Sequence, residues 1–201
     1  MSSKENKNRG AFFGSTEKEL KQFMIGPGEV TIGPDTLTFG NYPFPDSLAY
    51  GKATIHSKDI VNICIKSAPP AIRVNNELIF VSAEYKEALI NFANHNEIPL
   101  SERFEIWDWI LQPFLDTEFT EEDKERLYGL LNRYGLDRNT VDRLRTAVKE
   151  QMLKYNFDTM LWEWGYFGAF DVLCAMSPKL DPPGFSTFYK EVMEIALRTD
   201  V

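Results

Sequence analysis

Asp171 is the residue whose setting most calls for a chemical account. It is the one charge in the run Phe167-Gly168-Ala169-Phe170-Asp171-Val172-Leu173-Cys174-Ala175-Met176. A carboxylate in so apolar a stretch must be paired, hydrogen-bonded or neutralised, because burying it alone is costly. A structural ion pair with an arginine is the commoner solution. A polar functional pocket is the other. On one continuous helix Asp171 shares a face with Met160, Trp164, Gly168 and Ala175, with Glu163 close by. The candidate pocket is therefore Asp171, Glu163 and Trp164, and a carboxylate-dependent hydrolase would use Glu163 with Asp171.

Two tripeptides repeat a pattern, Trp107-Asp108-Trp109 and Trp162-Glu163-Trp164. Asp108 and Glu163, desolvated beside indole rings, would have raised pKa values, which is how a general acid is made. Residues two apart on a helix face different ways, so the simpler assignment has the indoles anchoring packing while Asp108 and Glu163 reach solvent or pair with arginine. A third constellation spans 125–149. Gly135, Leu136, Val141 and Leu144 fit a helix-turn-helix frame, and the second helix carries Arg138, Arg143 and Arg145, as a DNA-binding regulator would need. Leu131 stands where that motif wants a small residue, and Glu121, Glu122, Asp123 and Glu125 open the first helix. An ordinary αα-hairpin with acids near a helix N-terminus accounts for the same string.

Other chemistries find no support. GxSxG, GxxxxGK[ST] and GxGxxG are absent. His56 and His95 are the only histidines and lie in no HExxH or ExxH pattern, so no metal or cofactor is expected. Cys64 and Cys174 sit in apolar runs without a CxxC partner and read as small hydrophobes. The net charge of −8 is uneven: residues 1–99 hold 10 basic and 11 acidic side chains, residues 100–201 hold 12 and 19. An acidic C-terminal half disfavours nucleic acid and anionic membranes as partners. With no signal peptide or membrane-spanning run, a cytoplasmic location is expected.

The elements that must position these residues change texture near Pro99. Residues 1–27 read as a disordered tail and a short helix capped by Ser15. From 28 to 81 the pattern is β: Val30 and Ile32, a Gly33-Pro34-Asp35 turn, Leu37 and Phe39, then runs at 53–55, 60–65, 71–74 and 78–81, with Asn75-Asn76 as a hairpin turn. Ser82 caps a helix over 83–95. Six short strands closed by a helix resemble bacterial pleckstrin-homology-like domains over residues 28–96. The basic lipid-head-group loop of some members has no counterpart here, so the resemblance implies a fold and not lipid binding.

Beyond Pro99 the spacing predicts helices over 101–111, 120–134, 139–155, 158–176 and 186–198. The expected fold is thus α+β: a small antiparallel β-roll or barrel closed by a helix, followed over 97–201 by a bundle of about five helices. Aromatic side chains are 13% of the chain and crowd the helical half. An exposed aromatic patch there makes the leading expectation a non-enzymatic interaction or regulatory module with a protein partner, or a homodimer through 158–176.

Overall fold

The computed structural model describes residues 14–102, 105–114, 119–159 and 166–200. Helix α1 (Glu17–Phe23) opens the described chain. Strands β1 (Glu29–Ile32), β2 (Thr36–Tyr42) and β3 (Gly51–His56) form an antiparallel sheet in that order. Strands β4 (Ile60–Cys64), β5 (Ala71–Val74) and β6 (Glu77–Phe80) follow, then helix α2 (Lys86–His95). A two-residue strand β7 (Leu100–Ser101) lies parallel to β4, giving a second sheet of order β6-β5-β4-β7. The remaining helices are α3 (Ile106–Leu111), α4 (Glu121–Arg133), α5 (Arg138–Thr159), α6 (Ala169–Met176) and α7 (Pro182–Ala196).

The fold is α+β as expected, but its strands divide between two sheets, and among the described residues no closed barrel forms. Period-two alternation located the strands well: β1, β2 and β5 bury Val30, Leu37, Phe39, Ala71 and Val74. Strand β6 is buried on both faces, which alternation does not signal. A bulge between Gly40 and Tyr42 is turned by Asn41 at φ 57°.

Helix starts depart from the sequence reading at several points, each for a capping reason. Thr16, not Ser15, caps α1, in a reciprocal box with Glu19, while the Ser15 hydroxyl donates to Asp158. Ser82 makes no side-chain cap, and 83–85 form a 3-10 turn before α2. The helix expected from residue 101 begins at Ile106, because Leu100 and Ser101 are drawn into the sheet. Helix α5 starts at Arg138, with Asp137 accepting from the Thr140 N–H at 2.7 Å, so Asn139 lies inside it. Asp181 caps α7, Pro182 and Pro183 fill its first positions, and Ser186 is interior.

The largest correction concerns the helix expected over 158–176. Residues 158–159 close α5, residues 166–168 are not helical, and α6 starts only at Ala169. Gly168 therefore shares no helical face with Asp171 and Ala175, and Met160 and Trp164, expected on the same face, lie outside the described residues. All eight residues of α6 are buried. That helix packs on α1, α5 and α7 and has no free face for a homodimer. Nor are the described aromatics of the helical half a bare patch: Trp107, Phe167 and Phe170 are buried, and Trp109 and Phe114 pack against the core.

Buried side chains of the sheets and the helices belong to one hydrophobic cluster. Phe44, from the β2–β3 loop, meets Tyr42, Phe170, Phe185 and Tyr189 with ring centroids 5.7–6.2 Å apart. Phe80 of β6 meets Phe170 edge-on at 5.3 Å. The Trp107 indole N–H donates to the Val192 carbonyl at 3.1 Å, tying α3 to α7.

At the entry to β1, Gly28 holds φ +80°, and a Cβ there would stand 2.7 Å from the Gly40 carbonyl oxygen and 3.0 Å from that of Asn41. Gly28→Ala is expected to lower stability by about 2 kcal/mol or more in urea unfolding, through a left-handed backbone and a steric clash together. Gly26→Ala, two residues away with nothing within 4 Å of the new methyl, is the control and is expected to leave stability nearly unchanged.

Candidate functional site

Asp171 sits at the third position of α6 and is 8% exposed. One carboxylate oxygen, Oδ2, accepts from the Gly168 N–H at 2.8 Å, so the side chain closes the first turn of its own helix. The other, Oδ1, accepts from the Tyr155 hydroxyl of α5, also at 2.8 Å. Among the described residues no lysine, arginine or histidine forms an ion pair with it, contrary to the arginine pairing expected as the commoner solution. Burial pushes its pKa up to about 6, against the lowering pull of the Gly168 N–H and the Tyr155 hydroxyl, and Asp108 adds a smaller rise.

The carboxylate borders a cavity of about 430 Å³ between the sheets and the helices. Pro27, Ala68, Pro69, Ser82 and Ala83 come from the sheet side; Tyr155, Tyr166, Phe170 and Asp171 from the helical side. The wall is mostly apolar and aromatic. Tyr166 is half-buried, and its phenol is held protonated first by burial, then by the negative charges of Glu105, Asp108 and Asp171. Asp108 accepts from the Phe167 N–H at 3.3 Å and is itself pushed upward by burial. Rather than reaching solvent, Asp108 thus tethers the non-helical segment before α6.

Of the three residues grouped at the candidate pocket, the structure places Asp171; Glu163 and Trp164 lie outside the described residues. Tyr155, Tyr166 and the sheet-side wall were missed. Their signal was faint: Gly168 followed three residues later by Asp171 is a cap-and-acid pattern that marks a helix start, and a carboxylate satisfied by its own helix end needs no arginine. Cys64 and Cys174 are free and buried, and burial raises the Cys174 thiol well above its ordinary value. The phenol of Tyr155 is likewise raised by burial. Neither is a nucleophile near neutral pH. Among the described residues no group of three or more His, Cys, Asp or Glu is placed to hold a metal ion.

A second buried carboxylate escaped the sequence reading altogether. Glu77, at the start of β6, is 8% exposed and accepts from the Ser47 hydroxyl, from the Leu48 N–H at 3.1 Å and from the Tyr189 hydroxyl at 2.6 Å. It borders a larger cavity, about 570 Å³, together with Lys190, Glu194 and Arg198. Charges of both signs meet there, and Arg198 already donates to the Gly135 carbonyl and to Glu194.

The arginines of the helix-turn-helix reading are each engaged within the chain. Arg138 pairs with Glu125 and lies 4.4 Å from the centroid of the Tyr128 ring. Arg143 pairs with Glu191 of α7 at 2.6 Å. Arg145 is half-buried, donating to the carbonyls of Ile110 at 2.9 Å and Trp109 at 3.3 Å. Among the described residues no helix is long and apolar enough to cross a membrane. Comparison with protein-family models, with curated proteins and with solved structures returns no match.

Two outcomes follow from this geometry. An unfolded aspartate titrates near 3.8 and folded Asp171 near 6. Between those values the folded chain binds more proton, so stability falls as pH rises through the window and the full cost is present above it. That cost is about 3 kcal/mol. Asparagine can accept from the Gly168 N–H and donate to the Tyr155 oxygen while staying neutral. Asp171→Asn is therefore expected to gain little on the parent chain at about pH 4 and progressively more as pH rises, reaching about 3 kcal/mol by about pH 7, read by urea unfolding at each pH. Arg145→Ala is expected to cost about 2 kcal/mol, since it strips charged donors from two carbonyls. Arg143→Ala, an exposed pair, is expected to cost under about 1 kcal/mol in the same assay.

Proposed function

We propose that the protein is a non-enzymatic cytoplasmic binding module, and that its ligand site is the cavity beside Asp171. The observation that carries this reading is a buried carboxylate, unpaired with any described cation, facing an apolar hollow walled from both the sheet and the helical portions. Glu77, the other acid beside a cavity, takes three donors, from Ser47, Leu48 and Tyr189, and shares its cavity with Lys190 and Arg198, whereas no described cation lines the hollow beside Asp171. A cavity of about 430 Å³ falls within the range of small-molecule sites, about 300–1,000 Å³.

Among the described residues beside Asp171 the phenols and the Cys174 thiol are held protonated, which supports binding over turnover. For residues 28–96 we keep the pleckstrin-homology-like assignment as part of this proposal. What supports it is the succession of six antiparallel strands in two sheets followed by α2. For α3–α7 we read a helical bundle that supplies the other wall. A regulatory role fits a site whose occupant would touch both portions at once.

The test is a fragment collection added to isotope-labelled protein and followed by amide NMR. Ligands are expected to move the Ala83, Gly168 and Phe170 amide signals together and to be recovered chemically unchanged. Binding that moves only the signals around Lys190 and Arg198, or none at all, would remove the Asp171 cavity as the ligand site.

A further inference from the structure

We infer that the cavity beside Asp171 takes a compact alkylated ammonium cation, an inference that rests on the cavity being a ligand site at all. Three features of the wall select that chemistry. The first is sign: among the described residues that line the cavity Asp171 is the one charged side chain, with no lysine, arginine or histidine beside it. An anionic ligand would meet repulsion with no donor charge to offset it. A neutral one would leave the carboxylate charge unanswered.

The second feature is the ring content. Tyr155, Tyr166 and Phe170 share the wall with Asp171. Aromatic faces attract a cation through the ring quadrupole, and more strongly where water is excluded. The third is the scarcity of hydrogen-bond acceptors. Pro27, Ala68, Pro69 and Ala83 present mostly carbon, Ser82 adds one hydroxyl, and each Asp171 oxygen already accepts one internal bond, from Gly168 or Tyr155. A primary ammonium brings three N–H donors that need three acceptors. A quaternary or tertiary ammonium brings none or one, and its methyl groups suit apolar walls. The same reasoning rejects a bare metal cation, which requires several oxygen ligands that this wall does not offer.

The experiment titrates the full chain at pH 7.5, where Asp171 is ionised, with tetramethylammonium, choline and the neutral choline isostere 3,3-dimethylbutan-1-ol, read by calorimetry and amide NMR. The cations are expected to bind about tenfold or more tightly than the isostere, consistent with a desolvated cation–π contact. Asp171→Asn is expected to abolish that preference. Since that variant also alters the start of α6, Tyr166→Leu and Tyr166→Phe form an independent pair: leucine is expected to lose about tenfold in cation affinity, phenylalanine to keep it. Equal binding of cation and isostere, or cation affinity unchanged in both Asp171→Asn and Tyr166→Leu, overturns the inference while the ligand site stands. If no cation binds, the inference falls, and whether fragments still move the Gly168 and Phe170 amides decides the underlying reading separately.

Discussion

A carboxylate in a protein core has to be answered by something; buried Glu19 is answered by Lys154 at 3.3 Å, but for Asp171 and Glu77 the answer is neutral hydrogen-bond donors rather than cations. Asp171 leans on a backbone N–H and the Tyr155 hydroxyl; Glu77 leans on a serine, a backbone N–H and the Tyr189 hydroxyl. Each tyrosine comes from a different helix, α5 in one case and α7 in the other. Each acid therefore fixes the spacing of two elements through one phenol. Such bonds are directional where hydrophobic contact is not, so they help set how α5 meets α6 and how α7 meets β6. The aromatic cluster of Phe44, Phe80, Phe170 and Phe185 supplies the bulk of the cohesion around them.

Much of the architecture could be read from spacing. Alternation at Val30, Leu37 and Phe39 located the first hairpin, and the Thr120–Asp123 box with Gly135 bounded α4 to within a residue. Where the reading failed, a local polar bond had outweighed periodicity. The apolar run before Met176 has helical spacing throughout, yet Gly168 breaks it, because an extended residue there lets Asp171 cap the next turn. Asp181-Pro182-Pro183-Gly184 looks like a turn and is a helix start, since proline in the first turn lacks only an N–H the helix does not use. Strand β7 could not be anticipated from two residues; it exists because β4 offers an unpaired edge.

The site was legible only as a residue type in the wrong environment. An acid amid ten mostly apolar residues flagged Asp171, but nothing local said which groups answer it. Tyr155 lies 16 residues away and across a segment that was read as continuous helix. The opposite wall, Ala68 to Ala83, comes from loops flanking β5 and β6. Long-range pairings of that kind follow from topology, and no period within one segment encodes them. Glu77 was passed over for a related reason: beside the Asn75-Asn76 turn it resembled an ordinary solvated turn residue, whereas pairing with Val74 carries it inside.

The two acids differ in a way that bears on function. Glu77 has three donors, and the cavity it borders also holds Lys190 and Arg198. Asp171 has two donors, a hollow on its open side and a pKa displaced upward by burial. If closing the first turn of α6 were its whole task, serine, threonine or asparagine could make a local cap without a charge to desolvate. Keeping an ionisable group there sacrifices stability at neutral pH, and folds tolerate such sacrifices chiefly where a site has work to do. The same charge that weakens the empty protein would strengthen its hold on a cation, because a ligand that neutralises Asp171 recovers the desolvation cost the fold has already met.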